Sequence, residues 1–286
     1  MLTVLEAIVE ECMFGPKAIS LLGILMFGIG LAMGQNAEQR SFSIVTDPGE
    51  AADGCAGTRS KLMDYVARSG DRESFREIPV WQSSESSAFF FVSGMTIDAD
   101  GAPNAYSPDD TGLDELANAG YPSHWDGIIT DEDGTPLIQG EEDPFPGYYI
   151  SCTSLADGTK EYADPTRYVD ASKIPYVVLP DDMAENAGAR LGDFAVVMNL
   201  QNGKSSYAIF ADIGTMGEGS IALADNLGIW SDARRGGQSG AILYLVFPDS
   251  GNRRPRSIDE IEGESERLLS AWGGIERLAS CVESQW

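Results

Sequence analysis

From Ile78 to Pro248 the apolar positions come in short runs, at 88–97, 147–153, 174–180, 193–200, 205–212 and 241–247, separated by Asp, Gly and Pro. Runs this short, bounded by turn formers, read as strands. Within 205–212 the residues alternate, with Tyr207, Ile209 and Ala211 on one face and Ala208, Phe210 and Asp212 on the other. That is the period a half-buried strand requires. The close, regular spacing predicts a mainly β (α+β) fold with a β-barrel or sandwich-like core, not a parallel α/β sheet. Helical signals are few and short. Cys55–Ser69 predicts a short helix with Leu62, Tyr65 and Val66 on one side, Gly112–Gly120 another, and Ser220–Ala224 a helical turn. Ser257-Ile-Asp-Glu260 is a capping box opening a C-terminal helix, with Ile258, Ile261, Leu268, Leu269 and Trp272 along one side.

The flanks divide the chain further. Residues 18–33 form an uninterrupted apolar run after Lys17, and Ala32-Met33-Gly34 follows the small-x-small cleavage rule. Residues 1–34 are thus expected to be a signal peptide, with an uncleaved N-terminal anchor as the alternative, and the protein to be secreted or periplasmic without stable membrane association after cleavage. The run falls short of the roughly 20 apolar residues of a membrane span. Residues 35–75 read as a tether and short helix, 76–250 as the main β domain and 251–286 as a C-terminal helical extension. Cleavage would remove Cys12 and leave Cys55, Cys152 and Cys281. Export permits disulfides. Since chain ends often lie close together, Cys55 and Cys281 are the candidate pair, and Cys152 is expected to be a buried free thiol.

Charge narrows the partners. Against 45 acids stand 19 bases, for a formal net charge of −26. A phosphate backbone would be repelled, which argues against nucleic-acid binding, whereas a polycation would be concentrated at the surface. A generic acidic surface is the alternative explanation.

The inventory of reactive groups narrows the chemistry. A single histidine, His124, excludes a multi-histidine zinc or iron site. Gly237-Gln-Ser-Gly240 has only His124 as a possible base and lacks the strand-turn-helix context of a serine nucleophile. No phosphate loop, dinucleotide fingerprint or CxxC pair is present, and neither metal nor cofactor is expected. Carboxylates remain, and glycoside hydrolysis needs little else. Asp212 ends its strand, and Glu218 follows through a turn containing Gly214 and Gly217, an arrangement that aims two acids into one cleft. Read blandly, both are ordinary turn and cap residues. On the loop from Tyr106 to Asp133, the aromatics Tyr106, Tyr121 and Trp125 could stack on sugar rings or simply pin the loop to the core. Asp98-Ala-Asp100-Gly101 and Asp131-Glu-Asp133-Gly134 lack the remaining ligands of a calcium loop and read as turns.

Three stretches resemble the fungal-type chitosanase family, glycoside hydrolase family 75. They are Met95–Pro103, Ile174–Pro180, and Tyr207–Gly214 with Gly217–Ser220; the resemblance runs from about residue 88 to residue 250. It implies endo-acting hydrolysis of the β-1,4 bonds of chitosan, a cationic glucosamine polymer, with inversion. It also implies that Asp212 and Glu218 are the catalytic pair, here with a shorter gap than in the fungal enzymes. With that substrate in view, Glu218 is the expected acid and Asp212 the base, with the reverse assignment as the alternative, and Asp98, Asp100 and Asp170 are candidate partners of glucosamine ammonium groups. A hydrolase of another amino-sugar polymer, or an exported non-catalytic polycation-binding protein, are the alternatives.

Overall fold

The computed structural model describes residues 59–69 and 74–283. Strands β1 (Arg59–Ser69) and β2 (Ser74–Ser83) pair antiparallel and lead into β3 (Phe89–Asp98). A long excursion, residues 99–175, carries only the two-residue strands β4 (Gly120–Tyr121) and β5 (His124–Trp125), isolated bridges and two 3₁₀ turns. The chain then runs β6 (Tyr176–Leu179), α1 (Asp181–Ala187), β7 (Phe194–Asn199), β8 (Ser205–Ile213), β9 (Glu218–Ser220), α2 (Ile221–Leu227) and β10 (Gln238–Phe247). It ends on α3 (Ile258–Trp272) and α4 (Gly274–Glu283).

The large sheet has the order β1-β2-β3-β10-β7-β8-β6-β9, and a second pairing of β3 with β9 closes six of its strands, β3 through β9, into a barrel. The β3–β9 and β6–β8 pairs are parallel; the other pairs are antiparallel. Alternation divides the core between the two faces of this wall, as the strand period requires. Phe91, Met95, Val177, Phe210 and Tyr244 pack with α1 and α2. Tyr176, Val178, Ile209, Ala211 and Leu245 pack with α3, α4 and the 99–175 excursion.

The expected barrel and C-terminal helix are therefore present, with both halves of the capping box formed at Ser257 and Glu260. Other expectations are corrected. Residues 59–69 are strand, not helix: β2 pairs with them along their whole length, around a bulge between Lys61 and Met63, and tertiary pairing overrides the local pattern. The 112–120 helix reduces to a 3₁₀ turn at Leu116–Ala119. The 147–153 run makes only the bridges Ile138–Tyr149 and Ile128–Ser151. Cys152 is not a free thiol; Cys152 and Cys281 are each disulfide-bonded. The three-cysteine count behind that expectation assumes loss of Cys12. Cys55 and residues 1–34 lie outside the described residues.

Candidate active site

Two irregularities in the barrel wall aim the acids. Between Val177 and Val178 the register of β6 against β8 slips: Val177 lies opposite Phe210, but Val178 lies opposite Asp212. This bulge places Ala211 and Asp212 against one residue, the usual way a strand re-aims a side chain. Asp212 therefore leaves the Phe210 face, where strict alternation puts it, and joins Val178 on the other. On the far side of β6, β9 runs antiparallel with Glu218 opposite Val178. Asp212 and Glu218 thus share one face at one level, flanking Val178. Glu218 opens a short strand instead of hanging from a turn. The tight Gly214–Gly217 reversal makes this possible. Gly217 has φ +87°, and a Cβ there would fall 2.7 Å from Ser93 Oγ and 2.9 Å from the Gly94 carbonyl.

Asp212 is 7% exposed. Its Oδ1 accepts from Ser154 N–H at 2.9 Å, Ser154 Oγ–H at 2.5 Å and Ile213 N–H at 2.8 Å. Leu155 N–H bonds the Ala211 carbonyl at 2.9 Å, so the long excursion is stitched to the bulge itself. Glu218 Oε2 accepts from Thr215 N–H at 2.9 Å. Asp98 and Asp100 stand beside the pair. Tyr106 donates its hydroxyl to Asp100 at 2.6 Å, and Tyr176 donates to the Asp100 carbonyl at 3.0 Å.

Together these groups border a cavity of about 1010 Å³ whose lining includes Asp98, Asp100, Asp114, Asp126, Asp181, Asp182, Asp212 and Glu218 against only Arg234 and Arg235. Burial and mutual repulsion disfavour ionisation here. Burial first, then Asp98, raises Asp212 to about 8 and Glu218 to about 7. Burial raises Asp98 to about 6, and burial with the Asp98 and Asp212 charges holds Asp100 well above the ordinary carboxylate value. The cavity therefore retains protons at pH values where surface carboxylates have lost them. That is what acid–base chemistry needs. Among the described residues no group of three or more His, Cys, Asp or Glu could hold a metal ion.

Of the sequence candidates, Asp98, Asp100 and Tyr106 border the same cavity as Asp212 and Glu218. Tyr106 is 2% exposed, so it pins the loop and orients Asp100; its ring is not an open platform. Trp125 packs beside Tyr149, with ring centroids 6.4 Å apart, and does not line the cavity. Asp170 also lies outside it, tied to Lys173 at 2.8 Å and to the Ser172 hydroxyl. Sequence reasoning missed Ser154, Asp114, Tyr176 and Arg234, none of which carries a local signal.

Gly214 offers a test of geometry without touching an acid. A Cβ there would fall 3.0 Å from Glu218 Oε2 and 2.9 Å from Val178 Cγ1. Gly214→Ala should displace the Glu218 carboxylate and lower kcat about 10- to 100-fold, the scale of an ångström-level misplacement. Its circular dichroism should stay unchanged. Wild-type kcat in this variant would show that the position of Glu218 does not matter.

A family model described as fungal chitosanase of glycosyl hydrolase group 75 matches residues 126–268, half of the 286-residue chain. The match takes in β6 through β10, with both Asp212 and Glu218, and extends into α3, beyond the expected limit near residue 250. It leaves out Met95–Pro103 and with it Asp98 and Asp100. No curated protein matches. By this match the chain belongs to glycosyl hydrolase group 75, the fungal chitosanase family, and is a glycoside hydrolase.

Proposed function

We propose that the protein hydrolyses chitosan internally at its β-1,4 bonds, with inversion, using Asp212 and Glu218. The observation carrying this reading is that both acids flank Val178 on one face of a cavity lined by eight carboxylates. Their backbones stand two interstrand spacings apart, roughly 9–10 Å. Inverting glycosidases hold their carboxyl groups about 6.5–9.5 Å apart, leaving room for the attacking water. Backbones at that separation are compatible with carboxyl groups in that range.

In this mechanism one group protonates the leaving oxygen while the other, ionised, activates water on the opposite ring face. In the free protein Asp212 has the higher pKa, about 8 against about 7. Yet Asp212 also has the richer donor set, with Ser154 N–H, Ser154 Oγ–H and Ile213 N–H all on Oδ1, against Thr215 alone at Glu218. A glucosamine ammonium beside Asp98 would cancel the like charge acting on both groups, whereas the donors remain. Donors favour the anion, so Asp212 is the base and Glu218 the acid. Incubating the purified protein with soluble chitosan, and following reducing ends, product size and the anomer first formed, tests the whole reading. Absence of new reducing ends would overturn it in favour of a different substrate or a binding role.

The lining also predicts how substrate is captured. Cationic chitosan attracted by exposed carboxylates should be captured less well as salt rises, since the screening length is about 8 Å at physiological ionic strength. KM should rise severalfold between low and high salt, with kcat changing less. A salt-independent KM would reduce the net charge of −26 to a general surface property.

A further inference from the structure

We propose that the cleft continues past Arg234 onto an aromatic site, carried by Trp230 and Phe145, that holds a further sugar unit of the same polymer by ring stacking. The inference rests on the chitosan reading above and extends it. A second cavity of about 740 Å³ is bordered by Trp230, Phe145, Asp170, Lys173 and Asp232, and it shares Ala233 and Arg234 with the acidic cavity. Trp230 is 61% exposed and Phe145 40% exposed, two of the five exposed large hydrophobic residues among the described residues. Leaving a tryptophan that open to water forgoes the burial that would otherwise stabilise it, and here the open ring borders a cavity that adjoins the reactive one at Ala233 and Arg234.

The connection between the two cavities is held rigidly. Arg234 donates to the carbonyls of Asp110, Gly112 and Asp114 at 2.8, 3.2 and 2.8 Å, and pairs with the Asp110 carboxylate at 3.0 Å. It clamps the 230s loop to the 110s loop at the boundary. That loop belongs to the same connection, from β9 through α2 to β10, that begins with Glu218. Trp230 is thus fixed relative to the Glu218 side of the cleft.

The two cavities differ in chemistry. The second has two acids and two bases, and their charges are largely engaged within the protein. Asp170 pairs with Lys173 and Arg234 with Asp110, while Asp232 Oδ1 accepts from the backbone N–H groups of Arg234 and Arg235 at 2.9 and 3.2 Å. Little net charge faces a ligand, whereas open aromatic faces suit the apolar faces of a pyranose ring. The unit seated there is held without regard to its charge, so an N-acetylated unit is accepted as readily as a free amine.

The test compares wild type, Trp230→Ala and Trp230→Phe on long chitosan at low and high salt, at two degrees of acetylation. Wild-type turnover scores the chitosan reading by itself. If that reading holds, Trp230→Ala should raise KM for the long polymer about threefold to tenfold, the scale of one stacking contact. Trp230→Phe should recover most of the loss. The penalty should persist in high salt and be the same at both degrees of acetylation. Quenching of tryptophan emission on binding of glucosamine oligomers, seen in wild type and reduced in Trp230→Ala, provides a readout that does not need turnover. An unchanged KM with unchanged quenching in Trp230→Ala would overturn the inference while leaving the activity intact. A penalty that vanishes in high salt would overturn it too, because the contact would then be electrostatic.

Discussion

Asp212→Asn and Glu218→Gln should each lower chitosan turnover by about 10²–10⁴-fold, the range contributed by general acid–base assistance. Each amide keeps the size of the acid. The carbonyl oxygen of the amide replacing Asp212 could still accept from Ser154 N–H and Ile213 N–H, and that of the amide replacing Glu218 from Thr215 N–H, the bonds that hold the two acids now. The loss should therefore appear in kcat, with KM and polymer co-sedimentation changing only a few-fold. Asp109 and Asp133 are suitable controls. Both are exposed loop residues outside the cavity, and the Asp109 carboxylate accepts from its neighbours Ser107 and Thr111. Their amide variants should retain activity within about twofold, as surface substitutions usually do. Near-wild-type rates for both Asp212→Asn and Glu218→Gln would leave the pair with a structural role only.

What the sequence can and cannot disclose follows from the range of the interactions involved. The strands β3, β6, β7, β8 and β10 are legible because their patterning is local, and α3 because its capping box and apolar stripe are contiguous. Asp212 and Glu218 are legible as neighbours across a glycine turn. Their shared face is not, because it depends on the slip between Val177 and Val178 and on β9 pairing with both β3 and β6. Alternation alone keeps Asp212 with Phe210. The 59–69 segment reads as helix because its amphipathic spacing is ambiguous until β2 supplies a partner. Tyr106 and Trp230 illustrate another limit. An aromatic on a loop reads the same in sequence whether buried, as Tyr106 is, or open to water, as Trp230 is. Ser154 lies 58 residues from the carboxylate it holds, and no local pattern announces such a bond.

The clustered acids also carry a cost to the fold that has a definite pH signature. Asp98, Asp212 and Glu218 have ordinary values of 3.8, 3.8 and 4.5, raised in the folded protein to about 6, about 8 and about 7. Burial is the first cause in each. Below about pH 4 these groups are protonated in both states and cost nothing. As pH rises toward 8 the unfolded chain releases their protons while the folded protein still binds them, so unfolding becomes progressively easier. Above about pH 8 the loss is complete. The ligand-free protein should therefore melt at a lower temperature at pH 8 than at pH 5. The overall charge of −26 pushes in the same direction, so the wild-type profile alone cannot isolate the site. Asp212→Asn can. It removes one group from the cluster and should melt above wild type at pH 8, because an ionised Asp212 destabilises the fold there and an amide does not. Near pH 3, where Asp212 is largely protonated in both the folded and the unfolded wild type, the two proteins should melt together. Calorimetry at both pH values checks this. Equal melting temperatures at pH 8 would mean that Asp212 is not forced to ionise against its surroundings, and would remove the electrostatic argument for its proton chemistry.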